Sequence, residues 1–138
     1  MPWTSHQHGG FTEGHPWLPL NADVQVLNVS AQAADPRSMF SLYKALIRLR
    51  RESDVLSVGV FRVVRAEDGM LAYARELPGH QGLIVLNMTE SKQVLRIERP
   101  VREGLLSTYL DDPDPSAAGE IHLRANEGLV LDMFPHGL

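Results

Sequence analysis

The chain has 138 residues, 43% of them hydrophobic and 22% charged, the make-up of an ordinary globular domain. A net charge of -4 leaves no basic excess to displace counterions from phosphate, so no nucleic-acid partner is expected; the absence of cysteine excludes disulfides, thiol nucleophiles and cysteine-bound zinc. No apolar run reaches membrane-spanning length and the first ten residues do not read as a signal peptide, so no membrane partner and a cytoplasmic location are expected.

Residues 1–34 show no period of 2 or 3.6. Pro2, Gly9, Gly10, Gly14, Pro16 and Pro19 interrupt them, with Trp3, Phe11 and Trp17 between. So long a structureless stretch is usually functional or disordered, and disordered segments avoid aromatics. The residues therefore predict an ordered loop packed on a surface belonging to an active site. A flexible tail whose partner is absent stays open beside that reading.

Asp35–Arg51 is the clearest helix. Met39, Phe40, Leu42, Tyr43, Leu46, Ile47 and Leu49 fall at the spacing of a buried helix face. Asp35 is the expected cap and Pro36 the expected first residue; Arg48, Arg50 and Arg51 suit the negative end of the helix dipole. The stripe has no second helix in the chain to pack on, so it predicts a partner surface.

Residues 52–59 read as a connector ending in Gly59. Strands follow at Val60–Ala66 and Met70–Leu77, joined by the hairpin signal Asp68-Gly69. Pro78–Gly82 reads as a loop, and the apolar Leu83–Met88 as the central strand. After a turn at 89–92, Gln93–Glu98 pairs back with Leu95 and Ile97 on one face. Leu105–Leu110, Glu120–Leu123 and Gly128–Met133 complete the set. Short strands at this spacing predict a mainly β chain, an antiparallel β-sandwich preceded by a loop and one helix.

No constellation carries convincing chemistry. His6, His8 and His15 lie in a glycine-rich loop without supporting ligands and read as solvated histidines. Asp111, Asp112 and Asp114 are interrupted by prolines, unlike a calcium loop, and read as a solvated turn. No catalytic residue, metal site or cofactor site is assigned.

An ordered series of motifs adds to this. Met1-Pro2-Trp3, Gly10-Phe11-Thr12, Pro16-Trp17-Leu18-Pro19, Asn28-Val29 with Gln32, Asp35-Pro36-Arg37-Ser38 and Leu46-Ile47-Arg48-Leu49-Arg50 follow one another in residues 1–59. This series resembles the end of the catalytic barrel of alpha-glucosidases and oligo-1,6-glucosidases, in the alpha-amylase family of glycoside hydrolases (family 13). The runs LIVLNMTES and LRANEGLVLDMF are similar to strands of that family's C-terminal β domain. Thr4 departs from the family's usual Asp.

The resemblance implies residues 1–56 as the loop after the last strand of a (β/α)8 barrel plus its final helix, and residues 57–138 as the C-terminal all-β domain. It implies pocket-wall roles for Trp3, Phe11 and Trp17, since the loops after the strands converge on the active site of such barrels. The family's nucleophilic Asp, acid/base Glu and third essential Asp lie upstream of the motif holding Met1, and none has a counterpart here. The expectation is a non-catalytic C-terminal fragment of an enzyme acting on oligosaccharides. A free-standing β-sandwich that binds carbohydrate or protein is the alternative.

Overall fold

The computed structural model describes residues 1–113 and 119–134; these divide between Ala45 and Leu46 into two compact units. Asp114 lies outside the described residues.

The first unit is held by backbone rather than by a core. Its first regular helix, α1 (Val29–Ala34), was not expected; six residues are too few to show a period. Its start is fully satisfied. Val29 N–H donates to the Pro2 carbonyl at 2.9 Å and Ser30 N–H to that of Trp3 at 3.0 Å. Asn28, 2% exposed, caps Ala31 N–H through Oδ1 at 2.9 Å. The short segment Pro2–Thr4 is thereby tied to the helix. It in turn receives the Gly9 carbonyl, which accepts from Trp3 N–H at 2.8 Å and Thr4 N–H at 3.2 Å. His8, Gly9 and Gly10 all have positive φ, and a Cβ on Gly9 would come within 2.9 Å of Pro2 Cβ.

The long helix α2 runs Met39–Glu52. Its first residue comes three positions after Pro36, the one the sequence suggests, because Asp35 Oδ1 is taken by Arg37 N–H at 2.8 Å in a local turn. Ser38 caps instead, its Oγ accepting from Ser41 N–H at 3.1 Å. The expected connector contains a further short helix, α3 (Asp54–Val58), capped by Ser53. Gly59 ends it where an added Cβ would lie 2.4 Å from the Val55 carbonyl oxygen.

The second unit is an antiparallel β-sandwich, as the strand spacing predicts. One sheet has the order β1 (Val60–Glu67), β2 (Met70–Leu77), β3 (His80–Asn87), β7 (Gly128–Met133), β5 (Val101–Ser107). The other pairs β4 (Gln93–Arg96) with β6 (Glu120–Leu123). Asp68 and Gly69 both take positive φ in the β1–β2 turn, as the hairpin signal requires. Between β2 and β3 the turn is only Pro78-Gly79, so the expected five-residue loop is mostly strand. β4 does not pair back on β3 but crosses to the second sheet. Asn87 holds that departure: it is 3% exposed and its side chain makes four hydrogen bonds, to Thr89, Ser91 and Arg124. β5 lies earlier than expected; Tyr109 and Leu110 belong to the turn after it, Leu110 with positive φ.

Alternation on β2, β3 and β7 sends Ala72, Val85 and Leu131 into the core between the sheets, against Leu95, Ile121 and Leu123. The opposite face of the large sheet carries Phe61, Tyr73, Ile84 and Val130. Leu46, Leu49 and Leu56 share with them a cleft of about 470 Å3. Within the second unit Leu46 and Leu49 are half-buried and Ile47 is exposed; within the first, Met39, Phe40 and Tyr43 are exposed.

Candidate functional site

Two places concentrate side chains of interest, one in each unit. In the first unit a groove of about 660 Å3 is lined by Phe11, Thr12, Trp17, Leu18, Asn21 and Leu27, among others. Pro16 and Pro19 line it as well and bracket Trp17, which is 90% exposed. The lining holds no ionisable side chain. Thr12 and Asn21 supply its side-chain hydrogen-bonding groups, so whatever it contacts is met chiefly by apolar and aromatic surface.

Of the three aromatic residues singled out in the sequence, Phe11 and Trp17 share this groove. Trp3 does not line it. Its backbone is tied to Gly9 and Ser30, and its side chain is 57% exposed. Pro2, buried beneath Gly9, and Leu20, Asn21 and Leu27 were not anticipated as lining. Asn21 and Leu27 flank a single turn of 3-10 helix at Ala22–Gln25, a feature too short to leave a periodic signal.

His8 and His15 approach to 6.4 Å between ring centroids, and His15 Nδ1 lies 2.9 Å from the Pro16 carbonyl oxygen. His6 does not join that ring contact. Among the described residues no group of three or more His, Asp or Glu side chains is placed to hold a metal ion.

In the second unit the acidic turn is not simply solvated. Arg124 Nη1 and Nη2 donate to the two oxygens of Asp111 at 2.6 and 2.8 Å. Nη2 also bonds Glu127 Oε1, and Glu127 Oε2 accepts from the Arg124 N–H at 2.7 Å. Ser107 Oγ donates to Glu127 at 2.8 Å, and the Arg124 guanidinium stacks 4.0 Å from the centre of the Tyr109 ring.

Hydrogen bonds from Arg124 hold Asp111 down at about 2, against an ordinary 3.8. Burial alone would raise Glu127. The Arg124 side chain, the Arg124 backbone and Ser107 outweigh it and leave this carboxyl below its ordinary value. A group held this firmly in its ionised form is a poor proton carrier near neutral pH, so the cluster is a clamp rather than an acid–base pair. Asp112 lines an adjacent cavity with His122. The signal in the sequence was Arg124 and Glu127 flanking a turn three residues apart, which does not reveal a partner in another turn.

Comparison with known proteins gives the following. The family model for the catalytic domain of alpha-amylase matches residues 1–59. Oligo-1,6-glucosidase of Parageobacillus thermoglucosidasius is 33% identical over 94% of this chain and 24% of its own length. An amino acid transporter heavy chain of Rattus norvegicus is 32% identical over 96% of this chain and 21% of its own. The solved trehalulose synthase MutB of Pseudomonas mesoacidophila MX-45 superposes with a TM-score of 0.84 at 26% identity, over 95% of this chain and 24% of that one. A MutB variant has been solved in complex with its substrate sucrose. The chain thus spans about a quarter of the length of these relatives.

Proposed function

We propose, from the premise that this chain belongs to the alpha-amylase family of glycoside hydrolases, that it is the C-terminal part of an alpha-glucosidase releasing terminal alpha-linked glucose from oligosaccharides. In this reading residues 1–56 close the catalytic barrel, and Trp3, Phe11 and Trp17 help to wall the sugar pocket. Residues 57–138 are the C-terminal β domain, a scaffold. The chain by itself is non-catalytic, because a retaining glycosidase needs a nucleophilic carboxylate and a proton-donating one close together across the scissile bond. The acids of the Arg124 clamp are locked in ion pairs. A cytoplasmic location is proposed from the lack of cysteine.

One observation carries the reading. The stretch matching a catalytic domain has no buried hydrophobic side chain in its first 45 residues, yet it exposes Trp17, Leu18, Tyr43 and other large apolar groups. A segment of that composition is stable only against further protein.

The second reading is a free-standing β-sandwich that binds carbohydrate or protein; a transporter heavy chain as similar to this chain as the glucosidase is the observation that keeps a partner protein in view. The coding DNA upstream of Met1 separates the two. An in-frame barrel with an Asn-His-Asp motif supports the glucosidase, and an in-frame stop codon far from any barrel sequence supports the binding module. A second check is enzymatic. The purified chain, free of host glucosidase, should turn over no aryl alpha-glucoside above blank; turnover would overturn the non-catalytic reading.

A further inference from the structure

The loop of the first unit holds two imidazoles close together. The ring centres of His8 and His15 are 6.4 Å apart, with the planes inclined at 48°. Both rings stand on backbone that is tied down locally. His8, Gly9 and Gly10 form a left-handed turn, and the His8 carbonyl accepts from Phe11 N–H at 3.2 Å. Just before His15, Gly14 N–H donates to Thr12 Oγ1 at 3.1 Å.

His15 carries a second, independent observation. Its Nδ1 lies 2.9 Å from the Pro16 carbonyl oxygen, which can only accept, so Nδ1 holds the proton. In the neutral ring the free lone pair is then on Nε2. A backbone carbonyl on one ring nitrogen, with the other left as a lone-pair donor, is the arrangement that orients metal-bound histidines. The charge around the pair is compatible with a cation. Residues 1–36 contain no lysine or arginine, and Glu13 adds a carboxylate within the same loop.

With metal–nitrogen bonds of about 2.0–2.1 Å, two imidazoles on one ion hold their ring centres roughly 5–6.5 Å apart, the smaller value at a tetrahedral angle. The His8–His15 spacing falls in that range. Imidazole suits zinc, nickel and copper, whereas magnesium and calcium take oxygen ligands. Two imidazoles are one protein ligand short of a catalytic zinc site, and among the described residues no third His, Asp or Glu joins them.

We propose that His8 and His15 bind a divalent transition-metal ion of the zinc class, with water completing its coordination, and that the ion clips together the two ends of the loop carrying Phe11 and Thr12. Those two residues line the groove of this unit, so the metal orders one wall of it. The site is independent of what the groove contacts and of the glucosidase reading.

The test is a calorimetric titration of the untagged full chain with zinc chloride in a buffer that binds no metal, beside one with magnesium chloride. One zinc per chain is expected, with no binding of magnesium. His8→Gln and His15→Gln should each weaken zinc binding about tenfold or more, since even the outer partners of a metal-bound histidine are worth that much. His122→Gln, in the second unit, should leave it unchanged. Zinc should also slow amide exchange at Gly9 to Glu13 in the native chain and not in His15→Gln.

A measurement that needs no variant is the imidazole nitrogen spectrum of the labelled native chain. Zinc must shift His15 Nε2 while Nδ1 keeps its proton. An unmoved Nε2, a titration that does not saturate, or undiminished binding in the variant lacking both histidines would overturn the site. Weaker binding in His122→Gln would place the ion elsewhere and overturn it too. Unchanged exchange at Gly9 to Glu13 would overturn the clip.

Discussion

Arg124 grips Asp111 with both ends of its guanidinium, at 2.6 and 2.8 Å, and the same group turns back to Glu127 on its own turn. The contact joins the turn after β5 to the turn before β7. Glu127 has a side chain only 4% exposed. Replacing Arg124 by Met therefore leaves a carboxylate buried without its cation, and the domain should lose about 3 kcal/mol. Urea unfolding followed by circular dichroism measures this. A loss under about 1 kcal/mol would show that solvent or a neighbour takes over the role of Arg124.

The same clamp fixes a pH dependence. Asp111 sits at about 2 in the folded chain against an ordinary 3.8, so its proton is bound more readily by the unfolded chain. Its contribution is complete at pH well above 3.8 and is lost as the pH falls through 3.8 towards about 2. Glu127, also lowered, acts in the same direction. Urea midpoints measured down this range should fall more steeply for the native chain than for Asp111→Asn, which begins less stable and has less to lose. Parallel curves would mean that the pair does not persist in solution.

The two units should also differ in amide exchange. Ile84 and Val85 lie in the central strand, paired on both sides through β2 and β7. Gly9 to Glu13 lie in a unit whose described residues include no buried hydrophobic side chain. Slow exchange is expected at the first pair and fast exchange at the second. Comparable protection at both would show that the backbone bonds around Pro2 and Gly9 suffice to fix the loop.

The bare part of α2 gives a further prediction. Met39, Phe40 and Tyr43 are exposed in the first unit and Ile47 in the second, and burying each is worth roughly 1.5–3 kcal/mol. The isolated chain should self-associate through this stripe at high concentration. Phe40→Lys with Ile47→Lys should then give a monomer by sedimentation while the β signal in circular dichroism is kept. A native chain that sediments as a monomer throughout would count against the stripe as a sticky surface.

What could be read from the sequence follows from the range of the forces involved. The hairpin at Asp68-Gly69 was legible because two adjacent residues must both take positive φ. β6 and β7 fall where their apolar alternation places them, and β3 is the middle strand of its sheet, as its unbroken apolar run suggests. The partner of β4 was not legible. It is decided by Asn87, whose hydrogen bonds reach forward to Ser91 and across to Arg124. The start of α2 was misjudged because Asp35 and Ser38 are both good caps, and which one serves depends on where the chain arrives from. Phe11 and Trp17 were noticed for their chemistry. They share a groove while Trp3, whose backbone is bonded to Gly9 and Ser30, does not, and no local pattern announces those bonds.

The strand order has a consequence for how quickly the sandwich assembles. β1, β2 and β3 form a meander closed by two-residue turns, so each pairs with a neighbour the chain reaches almost at once. β7 must instead find β3 after everything from Met88 to Glu127 has been placed, and the entropy of closing that loop falls on a single docking step. At that junction Asn87 N–H donates to the Glu127 carbonyl and the Asn87 side chain to that of Arg124, so the last pairing is latched as it forms. Truncating Val85, which pairs with both β2 and β7, should slow folding, whereas truncating Ile121 in the two-stranded β4–β6 sheet should mainly hasten unfolding. Stopped-flow rates reversing that order would place the nucleus in the β4–β6 sheet instead of the meander.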